Sequence, residues 1–387
     1  MIKLPEYMGP LAFGVKMGLI VPGMDIVQTI FDQLVYCHRD GLLENGDIIC
    51  ITESVVARAQ NNYVTTADVA KEIREKLHLS PGGKLGLVFP IASRNRFALV
   101  LRGLALAVPR GEVIVQLSFP YDEVGNQVID PDFARSLGRD LLTMEDLAGR
   151  EFPHPVTGID YIRLYHEIIS EAGAVPRIVL CNDPLRILDY RPDAVIAADI
   201  HSRARTRAII SALHPRCITL DEICNSGAAY SEWGLLGSNI SAGEKIKLAP
   251  RDGPKIVGDL QRLVQEKLGV QVEVMIYGDG AYRDPTTGIY ELADPQPTIA
   301  ATAGLNRYRE GIKYKYLADY YYLEKGKTVA EIEKLLQEQK QNPLDDGSKE
   351  AREGTTPRRM EDVVASLADL VSGSSDAGTP LVVVKGF

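Results

Sequence analysis

Short apolar runs rich in valine and isoleucine recur along this chain, and they constrain its fold more than any other feature. DIICIT from Asp47, EVIVQLSF from Glu112, RIVLC from Arg177, VEVMIY from Val272 and LVVVKG from Leu381 each have the length and β-branched content of a buried strand. DAVIAADI, from Asp193, reads the same way. Between these runs the apolar period becomes helical. Val69, Ile73 and Leu77 recur every four residues after the capping candidate Thr66, and Leu260, Leu263, Val264 and Leu268 mark a second amphipathic helix. The expected fold class is α+β (mixed α/β).

With 387 residues and 45% hydrophobic composition, the chain can bury a core of one large or two ordinary domains. No internal repeat and no interdomain linker is evident, so residues 1–387 are expected to form a single unit of intertwined lobes. The formal charge of -9 repels nucleic acid and anionic membranes, and neither is expected as a partner. Cys37, Cys50, Cys181, Cys217 and Cys224 are widely spaced and contain no CxxC pair, which fits ordinary buried thiols in a reducing compartment. The opening MIKLPEYMGPLAFGVKMG lacks a basic n-region followed by an apolar h-region, and the expected location is cytoplasmic.

Residues 325–359 are the most polar stretch. Thr328 and Glu331 have capping-box spacing, so an exposed helix is expected there, followed by a flexible loop around Asp346 to Arg359. Val363, Val364, Leu367, Leu370 and Val371 then restore an apolar helical face, with Gly373 at its stop.

Four segments carry candidate chemistry. MGLIVPGMD, Met17 to Asp25, precedes a helix, and NGDIICITESVVARAQ, Asn45 to Gln60, ends a strand in Thr52, Glu53 and Ser54, where ligands of α/β sheets sit. Asp47 also reads as a turn residue and Arg58 as a solvated helix charge. LVSGSSDAGTPLVVVKGF, Leu370 to Phe387, offers glycines and hydroxyls that can wrap phosphate, though a solvated loop has the same composition. VMIYGDGAYRDPTTGIYELADP, Val274 to Pro295, delivers Asp279 into a glycine-flanked turn followed by Arg283, a hard-cation ligand beside a phosphate partner or simply a pair of turns.

Together these segments resemble the coenzyme F420 gamma-glutamyl ligases, which have a Leu-Ile-x-x-Gly-x-Asp segment, a Gly-Asp strand with a polar turn, and a closing glycine-rich turn, strand and basic residue before glycine. The resemblance implies the intertwined lobes of that family and addition of L-glutamate to a small carboxylate acceptor. It implies GTP (or ATP) as cosubstrate, Mg²⁺ or Mn²⁺, and a homodimer. Leu19 and Ile20 would line the base or ribose, and Glu53, Ser54 and Arg58 the nucleotide-contacting turn. Ser374, Ser375 and Asp376 would surround phosphate, while Asp279 would hold the metal and, with Arg283, serve catalysis. An acyl phosphate attacked by the glutamate amine is the implied route, with no covalent enzyme nucleophile. A non-catalytic nucleotide or metabolite sensor on the same scaffold is the alternative.

The sequence also departs from the family. Its Asn-x-Gly-x-Asp metal motif has no counterpart in LVLRGLALAVPRGE, Leu99 to Glu112, leaving Asp122 and Glu123 in SFPYDEVGN as substitute metal ligands or a surface turn. The closing loop's acidic or amide ligand appears as Ser374, with Asp376 shifted. Residues 176–251 have no counterpart and read as a family-divergent central segment. Arg94, Asn95, Arg96 and Arg102 offer a cationic cradle, and HSRARTR, His201 to Arg207, either a second one or a solvated helix start.

Overall fold

The valine- and isoleucine-rich runs all form strands, but they divide between two sheets. A computed structural model describes residues 7–278, 296–309, 315, 318–341, 358–372 and 378–387. In the first sheet the strand order is Leu11–Val15, Leu381–Lys385, Ile48–Thr52, Glu273–Tyr277, Thr298–Ala301. Ile48–Thr52 and Glu273–Tyr277 run parallel, with Ile48 opposite Glu273, and the other neighbours are antiparallel. The C-terminal strand Leu381–Lys385 is therefore hydrogen-bonded on both sides.

Both faces of this sheet are covered, which explains why its strands read as continuous apolar runs rather than alternating ones. Ile49, Ile51, Val274, Ile276, Leu381 and Val383 pack with helices Ile26–Arg39 and Gly253–Leu268. Ile48, Cys50, Met275, Tyr277, Val382 and Val384 pack with helix Met360–Ser372. None of these twelve strand residues is more than 2% exposed, so a charge on either face would be stranded without water.

The second sheet has the order Leu141–Thr143, Val175–Cys181, Glu112–Leu117, Lys84–Val88, Ala194–Ala197, Cys217–Thr219. All neighbours are parallel except the edge strand Leu141–Thr143. The chain starts at Lys84–Val88, steps outward to Val175–Cys181, and resumes on the other side at Ala194–Ala197. This is a doubly wound arrangement whose order reverses beside Lys84–Val88. Of the strands that residues 176–251 contribute to, Val175–Cys181, Ala194–Ala197 and Cys217–Thr219 belong to the sheet begun by Lys84–Val88.

This second sheet is inserted between Ile48–Thr52 and Glu273–Tyr277 of the first. A small antiparallel ladder of Asn239–Ile240, Lys245–Lys247 and Tyr63–Thr65 closes the neck of the insertion. Asn62 reinforces it, donating its amide to the carbonyls of Tyr230 (2.7 Å) and Ala249 (2.8 Å).

Local sequence decides the helix starts. Thr65, rather than Thr66, caps helix Thr66–Leu77, because its hydroxyl accepts from Asp68 N while Asp68 accepts from Thr65 N. Thr66 is buried and donates instead to Glu244 at 2.8 Å. The Thr328–Glu331 pair forms the expected capping interaction ahead of helix Val329–Gln341. Residues 342–357, with most of the expected loop, and Gly373 lie outside the described residues. All five cysteines are free and buried. Among the described residues no helix is long and apolar enough to cross a membrane.

Candidate active site at one end of the five-stranded sheet

The pairing registers bring distant segments to one end of the first sheet. Ile48–Thr52 and Glu273–Tyr277 both finish there, with Thr52 opposite Tyr277. The final strand begins there, with Leu381 opposite both Ile51 and Val15. Loop hydrogen bonds complete the rim: Thr52 N donates to Pro380 O (3.0 Å), Met17 N to Gly378 O (3.4 Å), and Gly23 N to Ala59 O (2.8 Å). The segments around Leu19, Ser54 and Gly378 therefore share one border of the sheet.

Individual residues differ in what they offer this rim. Ile20 is buried and belongs to the core, whereas Leu19 is 78% exposed and free to meet a ligand. Gly23 has φ +88, which the turn requires and a side chain would resist. Asp25 is the cap of helix Ile26–Arg39, its carboxylate accepting from Gln28 N at 3.0 Å. Ser54 and Arg58 are half-buried on the short helix Glu53–Ala59. Asp279, Arg283, Ser374, Ser375 and Asp376 lie outside the described residues, but Gly278 and Gly378, which adjoin the segments bearing them, both sit at this end of the sheet.

Glu53 is only 8% exposed, and Lys247 reaches it from the neck of the insertion with an Nζ to Oε1 distance of 2.8 Å. Two charges buried this deeply need one another, because removal of either leaves the other desolvated. Arg251 adds a second tie, donating to Asn62 Oδ1 (2.7 Å) and to Gln60 O (3.2 Å). Lys247, Asn62 and Arg251 escaped the sequence reading. KIK at 245–247 resembles a solvated edge strand, and only long-range pairing turns Lys247 inward.

Asp122 and Glu123 occupy a different place, in the loop after Glu112–Leu117 of the second sheet. The Asp122 oxygens accept from Ala92 N (2.8 Å), Val124 N (3.1 Å), Asn126 N (2.8 Å) and Asn126 Nδ2 (2.9 Å). Glu123 accepts from the backbone N–H groups of Ile200, His201 (3.1 Å) and Ser202 (3.3 Å). Oxygens filled by protein donors do not fit a divalent cation. Among the described residues no group of three or more His, Cys, Asp or Glu side chains has a cation-binding arrangement.

The basic groups are largely committed as well. Arg102 pairs with Glu244 at 3.2 Å and Glu171 at 3.6 Å, Arg203 with Asp221 at 3.0 Å, and Arg207 with Glu222 at 3.0 Å. LVLRGLALAVPRGE forms the interior and exit of helix Arg94–Ala105, where a Cβ on Gly103 would lie 2.9 Å from Val69. Its glycine serves close helix packing.

A family model described as F420-0:Gamma-glutamyl ligase matches residues 14–386. The chain belongs to this family. The match runs through both ends of the ligase and through the inserted sheet between them. No curated protein matches the chain.

Proposed function

We propose that this gamma-glutamyl ligase uses a nucleoside triphosphate, GTP or ATP, to activate a carboxylate on its acceptor. The acceptor carboxylate oxygen takes the γ-phosphoryl group and releases nucleoside diphosphate. The amine of L-glutamate then attacks the acyl carbon, loses a proton, and displaces phosphate to leave an amide. The convergence of residues 19–25, 53–58 and 378–380 on one end of the five-stranded sheet carries this reading. Leu19 would contact the base or ribose from its exposed position, and Ser54 and Arg58 would meet polar parts of the nucleotide. Glu53 would act through its ion pair with Lys247, holding the turn in place.

Ser374, Ser375 and Asp376 are assigned to phosphate, and Asp279 and Arg283 to the reaction centre. Mg²⁺ or Mn²⁺ belongs to the reading as the group that offsets phosphate charge, with Asp279 as its ligand. Asp122 and Glu123 are not assigned to it. The deciding experiment incubates the purified chain with GTP or ATP, Mg²⁺ or Mn²⁺, L-glutamate and a panel of small carboxylate acceptors. Phosphate release that requires both glutamate and an acceptor, with one glutamyl addition per phosphate, is expected. Nucleotide binding without turnover across the panel would favour a non-catalytic sensor.

A further inference from the structure

The carboxyl edge of the six-stranded sheet carries a cavity that the ligase reading does not use. Its volume is ≈ 280 Å³, near the lower end of the roughly 300–1,000 Å³ of ligand pockets, which suits a metabolite of amino-acid size and not a dinucleotide. The wall draws on loops that follow strands Lys84–Val88, Glu112–Leu117, Val175–Cys181 and Ala194–Ala197. Ligands of doubly wound sheets bind at this edge, where the strand order reverses.

Helix starts at such an edge commonly receive phosphate on their free N–H groups. Here the chain supplies its own anions. Asp122 accepts from Ala92 N, just ahead of helix Arg94–Ala105, and Glu123 accepts from Ile200, His201 and Ser202 N, just ahead of helix Arg203–Ser211. A phosphate would meet carboxylates in both places. A divalent cation fares no better, since these same oxygens are already filled.

Asp199 differs from its acidic neighbours. It is 1% exposed, and its Oδ2 accepts from the Thr206 hydroxyl at 2.7 Å, but its Oδ1 has no hydrogen-bond partner. A buried carboxylate oxygen without a donor is destabilising, and burial pushes this carboxyl up to about 6. Arg205 adjoins Thr206 on helix Arg203–Ser211, lines the same cavity and makes no ion pair among the described residues. Phe89, Pro184 and Ile209 add apolar wall.

We propose that this cavity binds a neutral free α-amino acid, with its ammonium group on Asp199, its carboxylate on Arg205 and its apolar side chain against Phe89, Pro184 and Ile209. Arg205 is the one cationic residue among the described wall residues, and Asp122 and Glu123 line the same cavity. A second ligand carboxylate would be repelled, so L-glutamate does not belong here. The site is separate from the ligase reaction at the five-stranded sheet and stands whether or not that reading holds.

Isothermal titration calorimetry on the full chain with L-alanine, L-valine, L-leucine, L-glutamate and isobutylamine tests the assignment. At least one neutral amino acid is expected to bind saturably and raise the melting temperature, whereas any heat from L-glutamate, a substrate of the proposed ligase site, should be unaffected by Arg205→Ala. Isobutylamine, which lacks the carboxylate of valine, should bind about tenfold more weakly than L-valine, the loss of one modest charged contact. Asp199→Asn keeps the side-chain shape and Arg205→Ala alters an exposed position, so both variants should retain the wild-type circular dichroism spectrum. Each should weaken binding by about tenfold or more. The proposal is overturned if none of the three neutral amino acids binds, if Arg205→Ala weakens L-glutamate binding as much as that of the neutral amino acids, or if either variant binds as the wild type does.

Discussion

Lys385 and Asp47, 338 residues apart in the chain, form a buried ion pair with an Nζ to Oδ2 distance of 2.6 Å. Each side chain is 4% exposed, and Lys385 also reaches Glu44 at 3.1 Å. The basic residue of the closing signature and the aspartate of the Gly-Asp strand are thus partners. They sit at the end of the sheet opposite the candidate active site. Lys385→Met should lower unfolding stability by about 3 kcal/mol by leaving Asp47 buried and uncompensated, while nucleotide affinity changes little. Urea unfolding alongside nucleotide titration checks both halves.

Lys247 and Glu53 make a parallel case at the functional end. Lys247→Met alone should destabilise by about 3 kcal/mol, and Glu53→Gln combined with Lys247→Met should recover part of that loss. A double-mutant cycle in urea measures the coupling. Additive single effects would mean that the neck of the insertion holds the turn by other contacts.

Asp199 gives a pH-dependent prediction. Glu123 opposes its ionisation while Thr206 and Arg203 favour it, and burial outweighs both, lifting the group from 3.8 to about 6. A carboxyl with a raised folded-state value contributes stability that is full below pH 3.8 and lost as pH rises through about 6. Asp199→Asn should therefore raise stability at pH 8 by on the order of 2 kcal/mol and leave it nearly unchanged near pH 4. Thermal unfolding of both proteins across this range decides the sign.

Asp279→Asn tests the proposed reaction centre. If this carboxylate holds the cation, the substitution should lower metal-dependent nucleotide turnover by about two orders of magnitude while leaving the melting temperature close to wild type. Normal turnover in this variant would make Asp279 a turn residue only.

Strands were readable from local pattern, but sheet membership was not. EVIVQLSF and DIICIT look alike, yet Glu112–Leu117 pairs with Lys84–Val88 and Ile48–Thr52 with Leu381–Lys385. Pairing depends on register between distant segments, which a single run does not encode. Lys84–Val88 escaped notice because Gly86 breaks its apolar pattern, and that glycine is needed where a Cβ would lie 2.9 Å from Ile187. The segments around Leu19 and Ser54, which reach one border of the five-stranded sheet, were visible as residue types. Lys247 and Asp199 were not, because an inward-facing lysine and an unfilled lone pair are properties of the assembled structure.

The ladder between Tyr63–Thr65 and Lys245–Lys247 has a consequence for the order in which the protein assembles. Ile48–Thr52 and Glu273–Tyr277 are adjacent in space, but the whole second sheet separates them along the chain. Closing so long a loop in an unstructured chain is entropically unfavourable and slow. Once the neck forms, Asn62 and Arg251, 189 residues apart, are bonded at 2.7 Å, and only short tethers remain on either side. The inserted sheet then serves as a folding template, delivering the two parallel strands in register before the terminal strand slots beside them.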